Sequence, residues 1–382
     1  MEIMKIGLNG QRLLTKDPAG PEKYTYNLFR ALSEIDTKNE YVIYFDDKPS
    51  DKLIEQITNG NKKFSYLVLP KTVFWTQINL ASELRNNPPD IFFTAVHTIP
   101  IMRNPKTKFV VMIHGLEYKS NKNDLSYLYK FKTERPLKYA AIHSDKIIVP
   151  STAVKESLLK QKWGLDEKKI ETVYEGVGEE FRKTTTEKVE EVRKKYGLGD
   201  SPYLLFVSTI QPRKNIPRII AAFAQLVKEN PKYKNTNLIL AGKFGWNFEE
   251  SLESPKKFGI KENVRFLGRV PDKDLPPLFT GAKGYLNFSI DEGFGLPLLE
   301  AMSCGVPCAV SDIPAFDEIG GGFPIQVNQN SVDSIKNGIK RLLDGEISTK
   351  VVEEAESYAH SFTWQNTAKK TLAIFENIVK NS

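Results

Sequence analysis

Short apolar runs alternate with amphipathic segments along the whole chain, the pattern of βα units wrapped around a parallel sheet. In the first half the runs fall at 3–8, 41–45, 66–69, 91–94, 109–113 and 146–149. Between the first two, Tyr24, Leu28 and Ala31 recur at three- and four-residue spacing, which predicts a helix over 23–32 with one buried face. The second half repeats the pattern, with runs at 203–207, 237–241, 264–267, 284–288 and 307–310 and helices predicted over 217–228 and 296–304. The stretch between the halves, RKTTTEKVEEVRKKYGLGDSP, is polar and poor in strand formers, so a domain boundary is expected near residue 185. The pattern predicts two doubly wound α/β domains, 1–185 and 186–360, followed by a terminal helix over 361–382 with an aromatic lead-in at Phe362 and Trp364. Two such domains would meet at a cleft lined by the carboxyl ends of their strands, where open α/β sheets bind ligands.

Length agrees: 382 residues are too many for one compact core and suit two domains of roughly 150 to 200 residues each. An apolar fraction of 40% and a charged fraction of 26% belong to an ordinary globular chain. No stretch approaches the ~20 apolar residues needed to span a bilayer. The opening MEIMKIGLNG runs straight into a strand-like segment without the charged and long apolar regions of a secretory signal, so a cytoplasmic location is expected. The two cysteines, Cys304 and Cys308, sit in AMSCGVPCAV and read as small core residues. The four histidines, at 97, 114, 143 and 360, make no pair at metal-ligand spacing, which argues against a zinc enzyme.

The net charge of +7 is unevenly placed. Residues 1–100 hold 12 Lys/Arg against 12 Asp/Glu, residues 101–150 hold 10 against 4, and the rest hold 32 against 31, giving 0, +6 and +1. Such concentration points to one local anionic partner surface; nucleic acid fits poorly, because no recognition module accompanies the charge. Within that stretch, segment 118–139 interleaves Lys119, Lys122, Lys130, Lys132, Arg135 and Lys138 with Tyr127, Tyr129 and Phe131. It reads either as a peripheral contact with an anionic membrane surface or as a solvated helix face.

The most informative segment is 284–312, GYLNFSIDEGFGLPLLEAMSCGVPCAVSD. A buried strand ends near Ser289, the turn Glu292-Gly293-Phe294-Gly295 follows, and Leu296-Pro297 open a helix. The glycines let the backbone approach a ligand, and the helix start offers N–H groups to an anion. Glu300 lies eight residues after Glu292, and a carboxylate flanking such a turn suits sugar hydroxyls better than phosphate. A second segment, FVSTIQPRKN, places Arg213 and Lys214 between a strand and a helix, where guanidinium and ammonium could together hold a diphosphate without a metal. Asp46-Asp47, the nearest paired-acid candidate for a metal, reads as a turn.

Residues 203–312 resemble the donor domain of the family 4 retaining glycosyltransferases, which have the two-domain GT-B fold. Glu292 and Glu300 match that family's acidic pair with seven residues between. The resemblance extends to FVSTIQPRKN, AGKFGW, NVRFLGRV and SDKIIVPSTAVKESL, covers most of the chain, and is greatest toward the mannosyltransferase-B-type subgroup. It implies two Rossmann-like domains facing across a cleft, an acceptor-side first domain, a donor-binding second domain, and a terminal helix packing back on the first. It further implies that Glu300 binds the donor ribose and that Arg213 and Lys214 grip the diphosphate. Glu292 and the backbone of Gly293, Phe294 and Gly295, with Leu296 beside them, would cradle the transferred sugar.

In the first domain the resemblance is looser. The family's Gly-Gly pair after the first strand is reduced here to Gly20, followed by Pro21, which has no N–H; Asn9, Gln11 and Arg12 share that loop. Where the family commonly has His-Asp, this chain has His114-Gly115. His114 ends a strand and could hydrogen-bond the sugar or serve only structure; His97 is placed similarly. The expected activity is metal-independent, retaining transfer of a hexose, mannose preferred, from a GDP- or UDP-sugar to a glycan or lipid-linked acceptor in surface polysaccharide synthesis. No cofactor is expected beyond the donor. The alternatives are a sugar-nucleotide epimerase, a phosphorolytic enzyme, and a nucleotide-sugar-binding or scaffold protein without turnover.

Overall fold

The computed structural model describes residues 3–116 and 127–380, with side chains omitted for 127–132. The chain divides into two compact units, residues 1–176 with 362–382, and residues 177–361. Each is a parallel sheet with helices between its strands, the α/β architecture that the apolar periodicity predicts.

In the first unit seven strands stand in the order β3-β2-β1-β4-β5-β6-β7. They are β1 Lys5–Asn9, β2 Glu40–Phe45, β3 Phe64–Val68, β4 Ile91–Thr94, β5 Lys108–Met112, β6 Lys146–Val149 and β7 Ile170–Thr172. Every pairing is parallel. Covered on both faces, a strand such as IFFT in β4 is apolar throughout rather than alternating. The helix Gly20–Ile35 presses Tyr24, Leu28, Phe29 and Leu32 onto the sheet. The helix Trp364–Lys380 supplies Trp364, Ala368 and Phe375 to the same core, as expected of the terminal segment, and the Phe375 ring lies 5.7 Å from that of Phe93.

The second unit has six parallel strands in the order β10-β9-β8-β11-β12-β13. They are β8 Tyr203–Val207, β9 Asn237–Ala241, β10 Val264–Gly268, β11 Gly284–Asn287, β12 Cys308–Ser311 and β13 Ile325–Val327. In both units the strand order reverses once, between β1 and β4 and between β8 and β11. Beyond the carboxyl ends of such a pair the connecting loops diverge and leave a crevice. The candidate loops of the second unit follow β8 and β11.

Two strands went unpredicted. β7 and β13 have three residues each and lie at the far edge of their sheets, too short to give a periodic signal. The polar stretch from 182 to 202 holds the helix Thr186–Lys195, and the chain passes from one unit to the other at Gly176–Val177, ahead of it.

Candidate functional site

After β8 the chain makes one tight helical turn, Pro212–Lys214, and enters the helix Ile216–Glu229 through Asn215. Asn215 adopts φ 61°, a left-handed conformation that asparagine tolerates. Its side-chain amide donates to the Phe288 carbonyl at 3.0 Å and to the Gln329 carbonyl at 2.8 Å. The Ile290 N–H donates to the Arg213 carbonyl at 2.8 Å. These bonds clamp the turn after β8 to the loop after β11.

The clamp brings three charged side chains into contact. Arg213 Nη1 donates to the Asp291 carbonyl at 2.9 Å and to Glu292 Oε2 at 3.1 Å. Lys214 Nζ donates to Glu292 Oε1. The same oxygen accepts from Ser289 Oγ at 2.9 Å and from Asn287 Nδ2 at 3.3 Å. Side-chain exposures are 10% for Arg213, 4% for Lys214 and 7% for Glu292. Burial pushes the Glu292 pKa up, but the charges of Lys214 and Arg213, with hydrogen bonds from Lys214 and Ser289, outweigh it and leave the carboxyl at about 2. Two cations and one carboxylate thus meet at a strand-to-helix turn.

The turn after β11 runs directly into the helix Leu296–Ser303. Gly295 has φ 91°, and a Cβ there would come within 2.6 Å of Phe316, so both conformation and space call for glycine. Pro297 occupies the first turn, where its missing N–H costs nothing. Phe294 and Glu300 are both 4% exposed. Glu300 therefore enters from the buried side of its helix, rather than standing out from it. Burial first, and then the Glu300 charge, pushes the Cys304 thiol up; Cys308 is raised mainly by burial. Both cysteines are buried and un-ionised at neutral pH.

In the first unit a second polar group gathers at the loops after β1, β4 and β5. His114, just past β5, holds Nδ1 3.5 Å from Glu175 Oε1, with side-chain exposures of 14% and 8%. Its Nε2 is buried and has no hydrogen-bond partner among the described residues. The Tyr24 ring meets the imidazole edge-on at 5.0 Å. His97 is depressed to about 3, by burial first and then by its electrostatic coupling to His114 and to the Arg12 guanidinium, so it stays neutral at physiological pH. Arg12 pairs with Glu22 at 3.0 Å, and the other Glu22 oxygen accepts the Ala19 N–H at 2.8 Å, closing the loop before Gly20. Gly20 is exposed, and apart from its chain neighbours and its own helix backbone nothing lies within 4 Å of where its Cβ would stand. Gln11 donates to Asp46 at 2.8 Å, so Asp46 belongs to the scaffold of that loop.

Motif reading singled out Arg213, Lys214, Glu292 and His114, and missed Glu175 and Ser289. Glu175 sits in VYEGV, where its only signal is an acid inside an otherwise apolar run. Glu117 and segment 118–126 lie outside the described residues, as do the side chains of 127–132; the helix Tyr127–His143 accounts for the rest of 118–139. Among the described residues no three His, Cys, Asp or Glu side chains gather into a group that could hold a metal ion, and no helix is long and apolar enough to cross a membrane.

Residues 188–360 match the family described as glycosyl transferases group 1, and residues 18–181 match glycosyltransferase family 4. The O-antigen chain mannosyltransferase B of Escherichia coli is 36% identical over 189 residues, 48% of this chain and 48% of that protein. The chain thus matches about half the length of that relative. The O-antigen chain mannosyltransferase RfbU of Salmonella typhimurium is 28% identical over 273 residues, 70% of this chain and 69% of that protein. Among solved structures, Anabaena HepE in complex with UDP-glucose superposes with a TM-score of 0.75 at 16% identity, covering 98% of this chain and 100% of its own. WaaG, a glycosyltransferase involved in lipopolysaccharide biosynthesis, gives a TM-score of 0.73 at 16% identity, covering 97% and 99%. At that identity the likeness is one of fold, and the fold is GT-B.

Proposed function

Because the chain belongs to the family 4 glycosyltransferases, we propose that it transfers a hexose, mannose by preference, from a nucleoside diphosphate sugar to a glycan or lipid-linked acceptor in surface polysaccharide synthesis. The observation that carries this reading is the buried Arg213–Lys214–Glu292 cluster beside the strand-order reversal of the second unit. The mannose preference rests on the mannosyltransferases among the relatives, and guanine as the base goes with it.

The chemistry follows from the charges. Cleaving the sugar–phosphate bond leaves negative charge on the diphosphate and positive charge on the anomeric carbon. Arg213 and Lys214, held in place by Glu292, stabilise the first without reorganising, so no metal is required. No protein carboxylate need attack the sugar: the acceptor hydroxyl enters from the face the diphosphate leaves, and a phosphate oxygen takes its proton. The configuration at the anomeric carbon is thereby retained. The Gly293–Gly295 backbone allows close approach to the sugar, and Glu300 accepts from the ribose hydroxyls. Within the first unit, Glu175 positions His114 through Nδ1 and leaves Nε2 for a ligand of that unit.

The test is a panel of sugar nucleotides incubated with EDTA, with and without a lipid-linked oligosaccharide acceptor. The expected result is acceptor-dependent release of GDP from GDP-mannose and an α-linked product, the anomeric form of the donor. Conversion of the sugar without nucleotide release would mark an epimerase. Tight donor binding with neither would mark a binding protein.

A further inference from the structure

Thirteen large apolar side chains are exposed among the described residues, and eight of them fall between 66 and 102. Val73 is 93% exposed, Phe74 65%, Ile78 55%, Ile101 64% and Met102 62%. These five stand on the connections after β3 and after β4 of the first unit, Ile78 within the short helix Thr76–Leu80, and one side chain clasps the two connections together. Gln77 Nε2 donates to the Ile99 carbonyl at 3.0 Å, and the Ile101 N–H donates to Gln77 Oε1 at 2.9 Å. Trp75 (3% exposed), Leu80 and Ile99 are buried in the core beneath. The two connections are thus anchored by some apolar residues while presenting others to water, and apolar side chains kept exposed on segments joined in that way mark a contact with something else.

Charge says what that something is. Residues 61–108 carry seven cations (Lys62, Lys63, Lys71, Arg85, Arg103, Lys106, Lys108) against two acids (Glu83, Asp90), and of these Lys63 pairs with Glu40 at 3.6 Å and Lys108 with Asp145 at 3.7 Å. Lys71 is two residues before Val73 and Lys106 four after Met102; both are exposed, as is Arg85, whose carbonyl accepts from Asn104 Nδ2 at 3.0 Å. Arg103 is turned inward, onto the Phe109 ring at 5.2 Å. An apolar tip bordered by cations is complementary to acyl chains beneath anionic headgroups.

We propose that this face, built from the loops after β3 and β4, docks the protein on an anionic bilayer surface. Phe74, Ile101 and Met102 enter the interface, and Lys71, Arg85 and Lys106 meet the headgroup phosphates. The inference stands on this surface alone and goes beyond the glycosyl-transfer reading, which could fail without affecting it. It concerns described residues only, and not segment 118–139.

The test is co-sedimentation of the full chain with phosphatidylglycerol-containing vesicles and, separately, with phosphatidylcholine vesicles. The native protein should sediment with the anionic vesicles and release as salt rises. The triple variant Phe74→Ser, Ile101→Ser, Met102→Ser should bind at least tenfold more weakly while keeping its melting temperature, since all three side chains are exposed. Should that variant fail to fold, Lys71→Glu with Lys106→Glu carries the same test, by losing the preference for anionic vesicles. Native protein that ignores anionic vesicles would overturn the proposal, as would variants that bind like native. So would a native dimer, indifferent to vesicles, that the triple variant dissolves.

Discussion

Glu292 is a carboxylate with almost no water around it, and its ionisation depends on the two cations that hold it. Its folded pKa of about 2 lies below the ordinary 4.5, so the charged form stabilises the fold fully above pH 4.5 and that contribution is lost as pH falls through 2. By linkage the contribution is about 3 kcal/mol. Glu292→Gln should therefore be less stable than native at pH 7, with the gap closing between pH 5 and pH 2 in urea titrations. A gap independent of pH would refute the pairing. His97 acts over a different window. Its folded pKa, depressed to about 3, keeps it neutral, so it penalises the fold as pH drops below its ordinary 6.5. His97→Gln should flatten the stability of the first unit between pH 6.5 and 5; an unaltered slope would mean that the ring is not desolvated. Arg213, Lys214 and Glu292 were legible as residue types at a spacing. Their mutual contact was not, because two segments about 79 residues apart meet only through the β8–β11 pairing and the Asn215 clamp.

At the scale of elements, the strand-to-helix turns carry the site, and glycine separates two kinds of demand there. Gly295→Ala meets both a positive φ and the Phe316 ring, and should destabilise the second unit by about 1–3 kcal/mol, read as a lowered urea midpoint. Gly20→Ala meets neither, so its melting temperature should match native; a fall in donor turnover without any loss of stability would locate a ligand against that helix start. Full turnover would remove Gly20 from the donor contacts. Strands such as Ile91–Thr94 and Tyr203–Val207 were readable because burial on both faces enforces continuous apolar runs. The helix predicted over 23–32 extends to Gly20–Ile35, since Pro21 is compatible with a first turn where it interrupts a pattern. β7 and β13 were unreadable, because an edge strand of three residues is defined by its neighbour rather than by its own sequence.

At the scale of the whole molecule, the terminal helix completes a core begun at residue 4, although the entire second unit intervenes in sequence. Phe375 is fully buried against Phe93, and Phe375→Ala should cost the first unit about 3–5 kcal/mol while hydrogen-exchange protection of β8, β9 and β11 stays unchanged. Loss of protection in both units together would show that they unfold as one. The account as a whole depends on Arg213 and Lys214, placed side by side after β8, being the groups that receive the diphosphate. The most direct measurement is calorimetric binding of GDP and UDP in EDTA to native protein, Arg213→Met and Lys214→Met, each shown to be folded by far-UV circular dichroism. The native chain should bind one of the nucleotides, and each variant should bind it at least tenfold more weakly. Equal affinity across all three proteins would contradict the claim that these cations receive the diphosphate.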